Sequence, residues 1–130
     1  MGKFTFRKEE RLSNEKHIQE LFDKGSSFYL FPFKVLFMPN PDPAVSHHQV
    51  LISVSKRNFK RAVDRNLIKR RIREAYRLQK EFLPAASPLQ IGYIYTHKEI
   101  LLFDEMKRRM LLSFKKLPKS STQITDTITP

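Results

Sequence analysis

Apolar positions along the chain change their period several times, and each change marks an element. Ile18, Leu21 and Phe22 recur at i, i+3, i+4, which predicts a short helix over 14–24. Ser13 or Asn14 can cap it, and Gly25 suits the position just past its end. Phe28 to Met38 is aromatic and β-branched, but Pro32 has no ladder donor, so a regular strand is expected from Phe33. Phe33, Val35 and Phe37 then share one face. Three prolines, an Asn and an Asp make 39–48 an exposed connection. A strand over 49–55 alternates Val50, Ile52 and Val54 with Leu51, Ser53 and Ser55, which implies a sheet face left half open.

From Lys56 to Lys80 the pattern is that of a basic helix. On a helical projection Ile68, Ile72 and Ala75 fall on one side, while Asn66, Lys69, Arg70, Arg73 and Arg77 fall on another. Arg65 lies at the edge of that stripe, and Arg71 and Asp64 point elsewhere. Pro84 and Pro88 bracket a turn, and 89–95 reads as a strand with Ile91, Tyr93 and Tyr95 in register. Phe103, Met106, Met110, Phe114 and Leu117 form the apolar stripe of a last helix, expected to pack on the sheet. Residues 1–12 are basic without a sustained period and read as an arm. The Ser/Thr-rich segment Lys119 to Pro130 is expected to be a disordered tail. The fold class is therefore α+β: one domain over 1–118, a small central sheet packed with about three helices, and a βαβ unit through the basic helix. General chirality rules predict a right-handed crossover for that unit.

Composition sharpens the picture mainly through charge. Lys and Arg number 25 against 13 Asp and Glu, a formal charge of +12, which makes a polyanion the leading partner class. The window 56–80 alone holds eleven Lys/Arg and two acids, net +9, leaving +3 for the other 105 residues. A solvated face is the usual fate of helical Lys and Arg. Here, however, like charges repeat at i,i+4 with few acids to offset them, each pair costing about 0.2–0.5 kcal/mol, and such a face makes sense when a partner supplies negative charge. Arg offers a planar fork to phosphate, Lys a point charge, and Asn66 a donor and an acceptor. The chain has no Cys, which removes disulfides, thiolate metal sites and a Cys nucleophile. No apolar run reaches membrane-spanning length, and Met1-Gly2-Lys3-Phe4 lacks a signal-peptide core, so a cytoplasmic location is expected.

The run Arg65-Asn66-Leu67-Ile68-Lys69-Arg70-Arg71-Ile72-Arg73-Glu74-Ala75-Tyr76-Arg77 resembles the RNR motif of the bacterial ribonuclease P protein family, in the pattern RNxxKRxxRExxR. Ile52-Ser53-Val54-Ser55-Lys56-Arg57 resembles that family's strand ending in VSKK or VSKR, and Ala62-Val63 its Ala-Val before the motif. Arg11-Leu12, the helix with Ile18, Leu21 and Phe22, and Lys24-Gly25 resemble its opening helix, so the likeness spans 7–117. Two departures stand out. Asn58-Phe59-Lys60-Arg61 replaces a Gly-Asn turn, and Ile18 stands where many members carry an aromatic. The resemblance implies a ribonucleoprotein subunit that has no catalytic side chain of its own and meets a catalytic RNA through Lys56, Arg57, Arg65, Asn66, Lys69, Arg70 and Arg73, with Arg77 a weaker candidate. That RNA would hydrolyse precursor tRNA with bound Mg2+. A groove for the single-stranded 5' leader would map to Phe22, Leu36 and Ser53, although Phe22 and Leu36 fit core positions equally well. The family's fold, shared with a ribosomal protein domain, implies a left-handed crossover instead.

Rival readings remain open at this level. His17, His47, His48 and His97 lack metal-ligand spacing, and the adjacent His47 and His48 are expected to be solvent-exposed. A structured-RNA-binding or ribosome-associated protein without a linked reaction would show the same composition. A membrane-surface helix needs a broad apolar face, and Ile68, Ile72 and Ala75 make a narrow one. No protein partner is evident.

Overall fold

Asn14 opens the first helix by accepting hydrogen bonds on its side-chain oxygen from the N–H groups of Lys16 (3.0 Å) and His17 (3.2 Å), which satisfies two donors that a helix start leaves unpaired. The helix, α1, is Glu15–Lys24 in the computed structural model, which describes residues 8–83 and 87–117. Gly25 follows it at φ −71°, so it is not there for a left-handed turn. A Cβ at Gly25 would lie 2.5 Å from the Leu21 carbonyl oxygen, and that closeness is what requires glycine.

Four strands, β1 (Ser26–Leu30), β2 (Phe33–Pro39), β3 (Gln49–Val54) and β4 (Leu89–Tyr95), form one sheet in the order β1-β2-β4-β3. β2 runs antiparallel to both β1 and β4, whereas β3 and β4 are parallel. A regular strand beginning only at Phe33 therefore misses half a hairpin: β1 pairs with β2 from Ser26↔Phe37 to Leu30↔Phe33. Pro32 sits in the connecting turn, after a cis peptide bond, where the ladder needs no donor from it.

The parallel strands β3 and β4 are joined through α2 (Ala62–Gln79), the expected βαβ unit, and α3 (Phe103–Phe114) packs beside α2. The basic helix is shorter than expected, because Lys56 to Arg61 form a turn. Phe59 is buried within that turn, an anchor incompatible with extending the helix back to Lys56.

The two sheet faces carry different cores. On one, Phe33, Val35, Phe37, Val50, Val54, Ile91, Tyr93 and Tyr95 meet Ile68, Ile72 and Tyr76 of α2 and Met106, Met110 and Phe114 of α3. The Tyr93 hydroxyl, 2.6 Å from Ser113 Oγ, ties α3 to the sheet as its apolar stripe predicts. On the other face Leu21 packs with Leu36 and Leu12, flanked by Ile18, Met38, Leu51 and Ile94. Leu21 sits over Gly92, where an added Cβ would come 3.3 Å from its Cδ2.

The N-terminal segment is less of an arm than its sequence suggests. Lys8–Glu10 make a 3-10 turn, Arg11 bridges to Val50, and the Leu12 N–H donates to Val50 O at 2.9 Å. Lys80 and Glu10 form an ion pair at 2.7 Å. Phe4, Phe6 and Arg7 of the predicted arm, Pro84 and the Lys119–Pro130 tail lie outside the described residues.

Candidate nucleic-acid interface

The rotation of α2 is set by what its inner face grips. Ile68, Ile72, Ala75 and Tyr76 are fully buried. Arg71 leaves the outer face and donates from Nη1 to Leu101 O at 2.6 Å, and Gln79 donates to Lys107 O at 3.0 Å. With that side fixed against α3 and the sheet, Asn66, Lys69, Arg70 and Arg73 lie on the remaining side, as the projection predicts. Among the described residues Lys69, Arg70 and Arg73 take part in no ion pair and no side-chain hydrogen bond. Among those residues nothing compensates their charge.

The other basic candidates divide. Lys56 and Arg57 are exposed in the turn before α2, so the structure brings them to the N-terminal end of the stripe. Arg65 is partly engaged: its Nη1 donates to Phe59 O (2.8 Å) and Lys60 O (3.0 Å). Arg77 bonds Glu74, with Nε donating to Oε1 at 3.1 Å. That hydrogen bond is the main reason the Glu74 carboxyl is held below its ordinary pKa and the Arg77 guanidinium above its own. Unlike Lys69, Arg70 and Arg73, Arg77 is thus engaged with an acid of its own helix.

The three candidates for a leader groove are not equivalent. Phe22 is 47% exposed on α1 and presents an aromatic face to solvent. Ser53 is half-buried and, alternating with Ile52 and Val54, faces the α1 side of the sheet. Leu36 is 5% exposed beneath Leu21, and its place is in the packing that holds α1. As a surface contact Leu36 is corrected: both sheet faces are covered at that point, and alternation alone does not separate a covered face from an open one.

Two basic residues escaped the sequence reading. Arg11 and Arg73 line one cleft of about 280 Å³ with Leu12, Ser13, Leu51 and Ile52, so the stripe continues across the β3 edge to the N-terminal segment. Lys60 is exposed in the same turn as Lys56 and Arg57. The signal for Arg11 was the apolar Leu12 beside it, which anchors the segment. His47 and His48 are half-buried rather than solvent-exposed: His47 Nε2 lies 2.9 Å from Glu9 O, and His48 Nδ1 accepts the Leu89 N–H at 2.9 Å. Both hold the 39–48 connection in place. Among the described residues no three His, Asp or Glu gather in a way that could hold a metal ion, and no helix is long and apolar enough to cross a membrane.

The family model described as Ribonuclease P matches residues 6–119. The chain belongs to the ribonuclease P protein family. Among curated relatives, the ribonuclease P protein component of Porphyromonas gingivalis strain W83 is 40% identical over 80 residues, 62% of this chain and 58% of that protein. That of Petrotoga mobilis is 39% identical over 62% of this chain and 64% of its own. The matched stretch thus spans about three-fifths of the length of these relatives. Among solved structures, the RNase P protein of Thermotoga maritima superposes with a TM-score of 0.72 at 26% identity, covering 84% of this chain and 98% of that one. The Staphylococcus aureus RNase P protein gives 0.66 at 27% identity, over 82% and 95%. The α+β architecture around the stripe is accordingly that of ribonuclease P proteins.

Proposed function

We propose that this chain is the protein subunit of a ribonuclease P ribonucleoprotein. In this reading it binds a catalytic RNA through Lys56, Arg57, Asn66, Lys69, Arg70 and Arg73, with Arg65 and Arg77 contributing less. It assists endonucleolytic removal of the 5' leader from precursor tRNA, yielding the mature 5' end. One observation carries the reading: in a chain of this family, Lys69, Arg70 and Arg73, with no ion pair among the described residues, lie on a helix whose opposite face is locked into the core. An RNA phosphate backbone supplies what those three charges lack.

Hydrolysis in this reading belongs to the RNA, which holds Mg2+, and the protein acts by electrostatics and positioning. The 5' leader, single-stranded, passes over the α1 side of the sheet, where the exposed Phe22 offers a stacking surface and Ser53 a polar contact. The working compartment is the cytoplasm, where no membrane partner is required.

Reconstitution tests the proposal. The purified chain, added to its cognate catalytic RNA at low Mg2+, is expected to raise the rate of precursor tRNA cleavage at the mature 5' end. Binding without any such stimulation would overturn it in favour of a structured-RNA-binding or ribosome-associated protein. The triple change Lys69→Ala, Arg70→Ala, Arg73→Ala should remove most of the stimulation while the domain stays folded.

A further inference from the structure

The turn between β3 and α2 carries three exposed cations, Lys56, Arg57 and Lys60, within five residues. Like charges so close repel one another, so left alone the segment would spread rather than present them together. The chain has no glycine in this turn, and among the described residues no non-glycine backbone adopts a positive φ. The conformation is therefore not set by a permissive residue. Three side chains tie it to the rest of the fold.

Phe59 is only 7% exposed, with its ring 6.0 Å from that of Tyr95, and its N–H donates to Ser55 O at 3.1 Å. Asn58 Nδ2 donates to Thr96 O at 3.4 Å. Arg65, one turn into α2, donates from Nη1 to the carbonyl oxygens of both Phe59 and Lys60, at 2.8 and 3.0 Å. One nitrogen thereby braces two successive peptide groups, using both of its hydrogens. Arg61, at the N-cap of α2, makes no side-chain cap, so the entry into the helix is held from the carbonyl side by Arg65 rather than by a capping side chain.

We infer that Arg65 is a positioning residue: with Phe59 as anchor, it holds the Ser55–Arg61 turn so that Lys56, Arg57 and Lys60 meet RNA phosphates as a preformed group. The inference rests on the RNA-binding reading above. A turn ordered before binding loses less entropy on association than one ordered by it. The rigid, planar guanidinium suits the task, since its donors are fixed relative to each other. The Phe59 anchor and the Arg65 brace together replace what a glycine turn would supply by its own backbone freedom.

The test is a double-mutant cycle on the full chain, read as affinity for the cognate ribonuclease P RNA. Arg65→Ala is expected to weaken binding about tenfold, and most of that loss should vanish once Lys56, Arg57 and Lys60 are already alanine, because residues acting as one unit are not additive. In a Lys69→Ala, Arg73→Ala background the same tenfold should persist. Amide exchange at Phe59 to Arg61 should quicken in Arg65→Ala, and Arg65→Lys should recover only part of the affinity. A penalty for Arg65→Ala that is equal in all three backgrounds would overturn the inference and leave Arg65 a plain phosphate contact. Should Arg65→Ala fail to fold, Phe59→Leu takes its place in the cycle with the same two outcomes. Absence of RNA binding by the unmodified chain would instead sink the functional reading itself.

Discussion

Gln90 is 1% exposed on β4, and among the described residues neither its Nε2 nor its Oε1 has a hydrogen-bond partner. An amide taken out of water without a partner costs about 1–3 kcal/mol, and Met has a similar shape without the polar atoms. Gln90→Met should therefore raise unfolding free energy in urea by about 1 kcal/mol. A loss of stability would mean that the amide has a partner in solution. Asn14 is the opposite case, since its oxygen serves two N–H groups at the start of α1. Asn14→Ala should cost about 1 kcal/mol, visible as a lower thermal midpoint, with no change in the salt dependence of RNA binding because α1 carries none of the stripe. Single residues also show where local pattern reaches its limit. Asn14 was readable as a cap because capping depends on its immediate neighbours. Leu36 was not resolvable as core or groove, because its burial depends on Leu21, fifteen residues earlier, docking over the sheet.

At the level of elements, α2 divides into a face that holds it in the core and a charged face proposed to bind RNA, and substitutions should divide the same way. Ile72→Ala removes a fully buried side chain between α2 and the sheet and should cost about 2–5 kcal/mol of stability. Arg70→Ala should leave stability nearly unchanged and flatten the plot of log affinity against log salt by about 0.7–0.9, one phosphate contact. A slope unchanged from the parent in each of the Arg65, Lys69, Arg70 and Arg73 variants would show that the stripe is idle. This division was legible in the sequence, because a helical period places Ile68 and Ile72 opposite Lys69 and Arg73 however the rest of the chain folds. The β4 limits were equally plain in the run from Leu89 to Tyr95. Two elements were not. β1 opens on two serines and ends beside Pro32, so its strand character comes from pairing with β2 rather than from its own composition. The start of α2 was set six residues too early, because no Ser, Thr, Asp or Asn caps it at Arg61 and the burial of Phe59 that ends the turn is a tertiary event.

The whole molecule carries +12, and most of that excess sits in 56–80, so the charges proposed to attract RNA also repel one another in the free protein. Arg73 lies at i,i+4 from both Lys69 and Arg77 and at i,i+3 from Arg70, and each like-charged pair of this kind costs about 0.2–0.5 kcal/mol. Only Glu74, bonded to Arg77, relieves the array from within the helix beyond its first turn. Salt acts on the two states in opposite directions. Screening shortens the reach of repulsion to about 8 Å at physiological ionic strength, which favours the free folded chain, while the same ions compete with RNA for the stripe. Raising salt should therefore increase the thermal midpoint of the free protein while lowering its affinity for RNA. Arg73→Gln should mimic both effects at low salt, with a higher midpoint, by a few tenths of a kcal/mol per relieved pair, and weaker binding. Differential scanning calorimetry and a filter-binding titration over one salt series read the two together. A midpoint that falls with salt, or an Arg73→Gln variant that is less stable than the parent, would place the repulsion elsewhere and remove the link between stored charge and RNA capture.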